Sequence, residues 1–261
     1  MSNFVDHRET SDTAPYLLHI NSLQRVSGTP SNFKIQLTYP ILYARSVRLL
    51  SASIPNSFYV FNGPNNLGVR NNNYINFIDS SGTQKTIIIT PGTYTFSQLS
   101  ALIVTEMQTV SSDTYTLTLN PNTLLVTFTS SSALFNILWS TGTNASQSAY
   151  YELGFYPQLD TAAGLSHTGS QALQISGPLN IFIQISAFRN VIHDSKNFTA
   201  AFCIPMNVEF GNIKYFEENN EFTTFLKIQE LSNINLVQMA LTSDFGSVTE
   251  NSDWSALLRF E

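Results

Sequence analysis

The stretch Asp253-Trp254-Ser255-Ala256-Leu257-Leu258-Arg259-Phe260-Glu261 alternates with a period of two. Trp254, Ala256, Leu258 and Phe260 fall on one side, and Ser255, Leu257 and Arg259 on the other. That period marks a β-strand with one buried face. A terminal segment frays unless something ties it down, so this strand is expected inside a sheet, closing the fold. No catalytic motif accompanies it upstream, which points to a structural, assembly-type β protein before an enzyme.

Composition sets the bounds. The 261 residues are 43% hydrophobic, enough for one large core or two modest ones. Charged residues make up only 11%, well below the usual quarter or so. The polar surface is therefore mostly Ser, Thr, Asn and Gln. Such a surface is weakly self-repelling and tolerates burial against neighbouring subunits. The net charge of −6, with no run of Lys or Arg, argues against direct nucleic-acid binding, which needs a basic stripe. The same deficit argues against attachment to anionic lipid. No stretch approaches the roughly 18 apolar residues of a membrane span. Residues 1–8 lack the apolar run of a signal peptide, so synthesis in a reducing cytoplasm is expected. The two sequons, at Asn144 and Asn197, then read as chance occurrences. The single cysteine, Cys203, has Ala201, Phe202 and Ile204 around it and is expected to be a buried, inert thiol.

Along the chain, residues 1–14 are polar and aperiodic and read as a flexible N-terminal arm or a frayed terminus. Strand signals follow at Tyr16–Ile20, Phe33–Leu37 and Val47–Ile54, the last stopped by Pro55. From residue 63 the character changes. Tyr74–Ile78 and Thr86–Thr90 read as a hairpin around Asp79-Ser80-Ser81-Gly82. Thr95 with Gln98 forms a capping-box pattern, and Phe96, Leu99, Leu102, Ile103, Met107 and Val110 recur at helical spacing. Thr114–Leu119 and Leu124–Thr129 complete a ββαββ unit. The expected organisation is a discontinuous β domain, 15–62 and 168–261, carrying an inserted α+β module at 63–167. Further strands are read at Ile181–Ile185, Phe198–Ile204, Phe210–Phe216, Phe222–Ile228 and Ile234–Leu241. Eight or nine strands in the flanks, with no helix between them, give a mainly β fold, a single jelly-roll β-sandwich.

A search for chemistry finds none. His7, His19, His167 and His193 are too far apart in sequence for a His-x-His metal pattern. His19, between Leu18 and Ile20, is expected to be a core histidine. The acidic cluster Glu217, Glu218 and Glu221 reads as a solvated turn. Gly-x-Ser-x-Gly, Gly-x-Gly-x-x-Gly and Walker patterns do not occur. No catalytic, cofactor-binding or metal-binding residue is assigned, and no cofactor is expected.

Several phrases resemble one family. Tyr39-Pro40-Ile41 followed by Val47-Arg48-Leu49-Leu50-Ser51-Ala52-Ser53-Ile54-Pro55-Asn56-Ser57 is similar to the V-x-L-x-S-A-x-I-P-N-S segment of penton-type minor capsid proteins. These occur in virophages, polinton-like viruses and related large double-stranded DNA viruses. Pro91-Gly92-Thr93-Tyr94 resembles the group's Pro-Gly-x-Tyr signature, Leu153-Gly154-Phe155 its Leu-Gly-Phe, and Asp253-Trp254-Ser255 with Leu258 and Arg259 its D-W-S-x-x-L-R. The order runs from about Asn32 to the end. The resemblance implies a virion protein that forms homopentamers at fivefold capsid vertices. Its partners there would be double-jelly-roll major capsid proteins and other minor capsid proteins, and it would be synthesised in the host cytoplasm. The motif positions Pro55, Asn56, Pro91, Gly92, Tyr94, Leu153, Gly154, Phe155, Asp253 and Trp254 are expected to be structural. The alternative is a receptor- or glycan-binding fibre or lectin-like head, with Tyr150, Tyr151 and Asn71 to Asn73 stacking on sugars. An enzyme with carboxylates converging in a pocket ranks third.

Overall fold

The structure, a computed structural model, describes residues 15–41, 44–63, 70–185, 192–193, 199–218, 226–231, 234–243, 246–247 and 252–260. The N-terminal arm 1–14, the Asn197 sequon and Glu221 lie outside the described residues. The chain opens with β1 (Tyr16–Asn21), β2 (Ser27–Thr29), β3 (Asn32–Ile41) and β4 (Ala44–Pro55). It continues through β5 (Tyr74–Ile78), β6 (Gln84–Ile88), helix α1 (Phe96–Val110), β7 (Tyr115–Leu119), β8 (Val126–Ser130), β9 (Asn136–Ile137) and β10 (Ser166–Thr168). Then come β11 (Asn180–Ile185), β12 (Ile192–His193), β13 (Thr199–Ala200), β14 (Phe202–Pro205) and β15 (Ile213–Glu217). The last are β16 (Leu226–Leu231), β17 (Ile234–Ser243), β18 (Gly246–Ser247) and β19 (Ser255–Phe260).

The long flanking strands pair as nested antiparallel couples: β1 with β19, β3 with β17, β4 with β15, and β11 with β14. Folding such a nested ribbon over on itself gives two sheets, with strand orders β1-β19-β4-β15 and β14-β11-β17-β3. This is the mainly β, jelly-roll sandwich that the strand count predicts. Strand β19 is central to the first sheet. Ala256 lies between Ile20 and Ala52, Leu258 between Leu18 and Leu49, and Phe260 between Tyr16 and Val47. Trp254, Ala256, Leu258 and Phe260 are all buried, as the alternation predicts. They meet Phe33, Ile35, Ile181, Ile183, Val237 and Met239 of the second sheet in one apolar core. Burying each large side chain there stabilises the fold by about 1.5–3 kcal/mol.

A second hydrophobic core forms between β4 and β11 in sequence. Two three-stranded sheets, β6-β5-β9 and β10-β8-β7, pack with α1 around Ile75, Phe77, Ile103, Met107, Phe128, Phe135 and Trp139. The helix begins where its capping box sits: the Thr95 hydroxyl accepts from the Gln98 backbone N–H, and the Gln98 side chain accepts from the Thr95 N–H. Leu99, Ile103 and Met107 form its buried stripe. Chain beyond residue 167 still packs here. The Leu173 N–H donates to the Leu124 carbonyl and that of Gln174 to the Glu152 carbonyl, while Leu173 and Ile175 cover the core.

Several local expectations are corrected. Cys203 is exposed, not buried, because Ile204 and Phe202 point inward on β14 and the period of two turns Cys203 outward. His19 is exposed by the same rule, alternating with buried Ile20. Among the described residues the buried histidine is His167, whose Nε2–H donates to the Phe135 carbonyl at 2.8 Å. The strand read from Phe210 begins at Ile213, because Glu209 to Asn212 form a turn with Gly211 at φ +86°. The hairpin partner read as Thr86–Thr90 starts at Gln84, since the tight turn closed by Gly82 N–H to the Asp79 carbonyl pairs Gln84 with Ile78.

Trp254→Ala is expected to destabilise the protein by about 3–5 kcal/mol, the usual cost of emptying a large core site. A lowered urea midpoint would register it; a midpoint within experimental error of the parent would contradict the placement of Trp254 in the core.

Candidate functional site

The residues singled out by motif gather in three places, all of them connections. The first is a latch at the start of β19. Ser22 and Asp253-Trp254 face each other across the sheet margin. The Trp254 N–H donates to the Ser22 hydroxyl at 2.9 Å, and the Ser22 N–H donates back to the Trp254 carbonyl at 3.0 Å. Asp253 Oδ1 accepts from the Ser22 hydroxyl at 2.7 Å and from Arg25 Nη1 at 2.8 Å. The Trp254 indole N–H reaches the Pro30 carbonyl at 2.7 Å, and its ring meets Phe33 edge-on at 5.6 Å. One side chain therefore fastens β19 to the β2–β3 hairpin of the opposite sheet. An edge-on aromatic pair adds about 0.5–1.5 kcal/mol beyond its buried area.

The second is the neck where the chain passes from one core to the other. Phe58 belongs to the first core and Val60 to the second, so the crossing takes two residues. Pro55 ends β4 opposite Ile213, and Asn56 is buried, donating from Nδ2 to the Val208 carbonyl at 2.7 Å. The motif Pro91-Gly92-Thr93-Tyr94 receives the crossing strand. Phe61 and Gly92 exchange both backbone hydrogen bonds, at 3.0 and 2.9 Å. The Thr93 hydroxyl donates to the Phe58 carbonyl at 3.1 Å and accepts from the Val60 N–H at 3.3 Å. Tyr94 lies against Phe61 at 6.0 Å and donates its hydroxyl to the Thr90 carbonyl at 2.5 Å. Burial pushes its phenol above the ordinary value.

The third is the turn Leu153-Gly154-Phe155. Leu153 is fully buried, and Phe155 packs on Trp139 at 5.0 Å and Phe128 at 5.9 Å. Gly154 has φ +80°, and a Cβ there would lie 2.1 Å from the Gln171 carbonyl oxygen. Its own carbonyl accepts from the Gln171 N–H at 2.9 Å. Only glycine permits both the backbone angle and this approach.

Asn72 ties the neck to this turn. Its Nδ2 donates to the Val60 carbonyl at 2.8 Å and to Glu152 Oε1 at 2.7 Å, while its Oδ1 accepts from the Asn62 N–H at 2.7 Å. Glu152 is buried and its Oε2 has no hydrogen-bond partner. Desolvation raises its carboxyl above the ordinary value, partly offset by the Asn72 hydrogen bond and by the Arg70 guanidinium. Sequence reasoning missed this pair. Asn71-Asn72-Asn73 read only as a candidate sugar contact, and Glu152 stands 80 positions from Asn72.

These positions also bear on the alternative of a sugar-stacking surface. Asn72 and Asn73 are buried, and Asn73 Nδ2 donates to the Ile89 carbonyl at 2.9 Å. Tyr150 packs against the second core under the Arg70 guanidinium at 4.8 Å, and Tyr151 meets Tyr156 edge-on at 6.3 Å. Asn72 and Asn73 are thus spent on the fold. Two acidic groups are likewise committed: Glu218 pairs with Arg48 at 3.0 Å, and Asp113 accepts from the Ser80 N–H and hydroxyl at 2.9 and 2.8 Å. Those bonds hold Asp113 below the ordinary carboxylate value, the Ser80 backbone N–H contributing most. Among the described residues no group of three or more His, Cys, Asp or Glu side chains is arranged to hold a metal ion. The geometry found is that of connection.

No family model matches the sequence, and no curated protein matches it. Among solved structures, the chain is similar to the selenomethionine-labelled mavirus penton protein, with a TM-score of 0.49 and 11% sequence identity, over 95% of this chain and 98% of that one.

Two outcomes are expected from these geometries. Gly154→Ala should lower the urea midpoint well beyond Gly211→Ala. Both sit at positive φ, which costs an alanine about 1–2 kcal/mol, but nothing lies within 4 Å of a Cβ at Gly211. Equal losses would remove the argument from close approach. For Glu152, the folded state holds its proton more tightly than the unfolded chain. Its contribution to stability therefore falls as pH rises from the ordinary carboxyl value to the raised one, then levels off. Glu152→Gln should abolish that decline, so the variant gains on the parent with rising pH; parallel pH profiles of the urea midpoint would refute it.

Proposed function

We propose that this chain is a structural virion protein, a penton-type minor capsid protein that occupies the fivefold vertices of an icosahedral shell as a homopentamer. The observation that carries this reading is the ordered set of motif resemblances, from Val47 to Arg259, borne on a jelly-roll sandwich. Charge-poor composition supports it, because a surface with 11% charged residues buries against neighbours without stranding many ions. On this reading the jelly roll, 15–62 and 168–261, tiles with copies of itself and with double-jelly-roll major capsid proteins. The inserted unit, 63–167, faces outward from the shell. The segment 1–14 orders on a neighbour during assembly, coupling ring formation to shell closure. The function is geometric: five copies each present one patch to a different patch on the next, a heterologous contact that closes. No reactive centre takes part.

A particle reconstruction tests this. Density for the chain is expected at fivefold positions, five copies to a vertex. Threefold density, or absence from the particle, would refute the vertex assignment. Deleting residues 2–14 is expected to reduce vertex occupancy; full occupancy in the deletion variant would remove the arm from the mechanism.

A further inference from the structure

We propose that Glu152 is a proton-operated catch at the junction of the two cores. Its neutral, protonated form holds the crossing segment against the Leu153-Gly154-Phe155 turn. Its ionised form lets that junction open locally while both cores stay folded. The device belongs to the folded chain itself and does not depend on the capsid reading. The join between the cores is short: Phe58 serves one and Val60 the other, so whatever grips residues 60–62 sets the join. One side chain does the gripping. Asn72 holds the Val60 carbonyl at 2.8 Å, the Asn62 N–H at 2.7 Å and Glu152 Oε1 at 2.7 Å. The Glu152 main-chain carbonyl accepts from the Gln174 N–H at 2.8 Å, so crossing, turn and returning chain meet at one residue. Its carboxyl is only half paired: Glu152 is 6% exposed, and Oε2 has no hydrogen-bond partner. A neutral carboxylic acid tolerates such a site. A carboxylate there is a buried charge with one hydrogen bond, which is costly. Water at Oε2 relieves that cost, and parting the crossing from the turn admits it.

The surroundings compensate little. Residues 58–63, 70–74, 149–155 and 171–175, which pack around the junction, carry one charge besides Glu152, that of Arg70. Their remaining titratable groups are the phenols of Tyr59, Tyr74, Tyr150 and Tyr151. Arg70 is exposed, lies over the Tyr150 ring at 4.8 Å and donates from Nη2 to the Ser148 carbonyl at 3.1 Å. Solvent screens its pull on the carboxylate. Desolvation therefore prevails over the Asn72 hydrogen bond and the guanidinium, and the carboxyl stands above its ordinary value. A group that ionises more readily in the open state than in the closed one favours opening as pH rises. The catch is fully set below the ordinary carboxyl value, loosens between that value and the raised one, and changes no further above it. Each pH unit between the two values amounts to about a tenfold change in the opening equilibrium.

Amide hydrogen exchange on the full-length chain tests the catch, run from about pH 4 to about pH 8, a range that brackets a raised carboxyl, and corrected for the intrinsic rate at each pH. The N–H groups of Asn62 and Gln174 report the junction. Those of Leu138 and Leu241, which donate to the Asn76 and Ser31 carbonyls at 2.8 Å, report the second and first cores. The junction amides are expected to be less protected than the core amides and to lose protection as pH rises. Glu152→Gln should make their protection independent of pH. Arg70→Met, which removes the nearby cation, should extend the loss to higher pH. Junction amides as slow as the core amides would overturn the catch, because the junction would then open only with the whole fold. Junction protection that stays flat with pH in the parent, or that keeps its slope in Glu152→Gln, overturns it as well. The parent profile and Arg70→Met decide the matter even where Glu152→Gln does not fold.

Discussion

Closure of the two ends of the chain onto each other is the constraint on which the first core depends. Strand β19 has β1 on one side and β4 on the other, so three of the first sheet's strands share its inward row. Removing β19 would leave Ile20, Leu49 and Ala52 facing a gap the width of a strand. The contacts that hold it span more than two hundred residues, and the nested pairing means that β3–β17 and β4–β15 also join distant segments. Such non-local pairing requires much loop-closure entropy to be lost before contacts form. The latch at Ser22, Asp253 and Trp254 makes sense in that light. It fixes the register of the last strand by backbone and side-chain bonds at once, and a register slip of one residue would turn Trp254, Leu258 and Phe260 toward solvent.

The second core is joined to this framework by short, hydrogen-bonded chain. Phe58 and Val60 serve different cores, and Thr93 holds the backbone on both sides of Tyr59. Asn72 then fastens the crossing to Glu152. A long insertion tethered by free linkers would tumble independently of its host. Here, backbone donors and acceptors in the crossing are paired to named partners, which fixes its direction. A buried carboxylate in such a place is a weak contributor to stability, because desolvation of its charge offsets the hydrogen bond to Asn72. Its effect is on uniqueness: Asn72 satisfies three groups only when the crossing and the Glu152 turn are in register.

What could be read from the sequence divides by range. The capping box at Thr95 and Gln98, the helical stripe through Met107 and the alternation of β19 are local patterns, and each appears where it was read. The phase of a short apolar strand is not local. Ala201-Phe202-Cys203-Ile204 and Leu17-Leu18-His19-Ile20 are apolar at both parities, so only the partner strand decides which set points inward. Strands β9 and β10 have two and three residues, too few to carry a period, and exist because β5 and β8 present edges to them. The motif residues were recognisable as motifs, but their service as connections was not, since Pro91–Tyr94 meets Phe58–Phe61 only in three dimensions. Asn72 and Glu152 carried no signal at all.

The scarcity of charge then bears on assembly. An isolated sandwich keeps its sheet edges from pairing by placing lysine, glutamate or proline along them. Among the described residues, Arg25 pairs with Asp253 and Arg48 with Glu218, while Lys214 of β15 donates to Asn207. Exposed on β15 are Ile213, Tyr215 and, at the end, Glu217; exposed on β1 are Leu17 and His19 of the outward face and Tyr16 at the open end of the inward row. Edges so lightly defended are a liability in a protein that works alone and an asset in one that works by tiling.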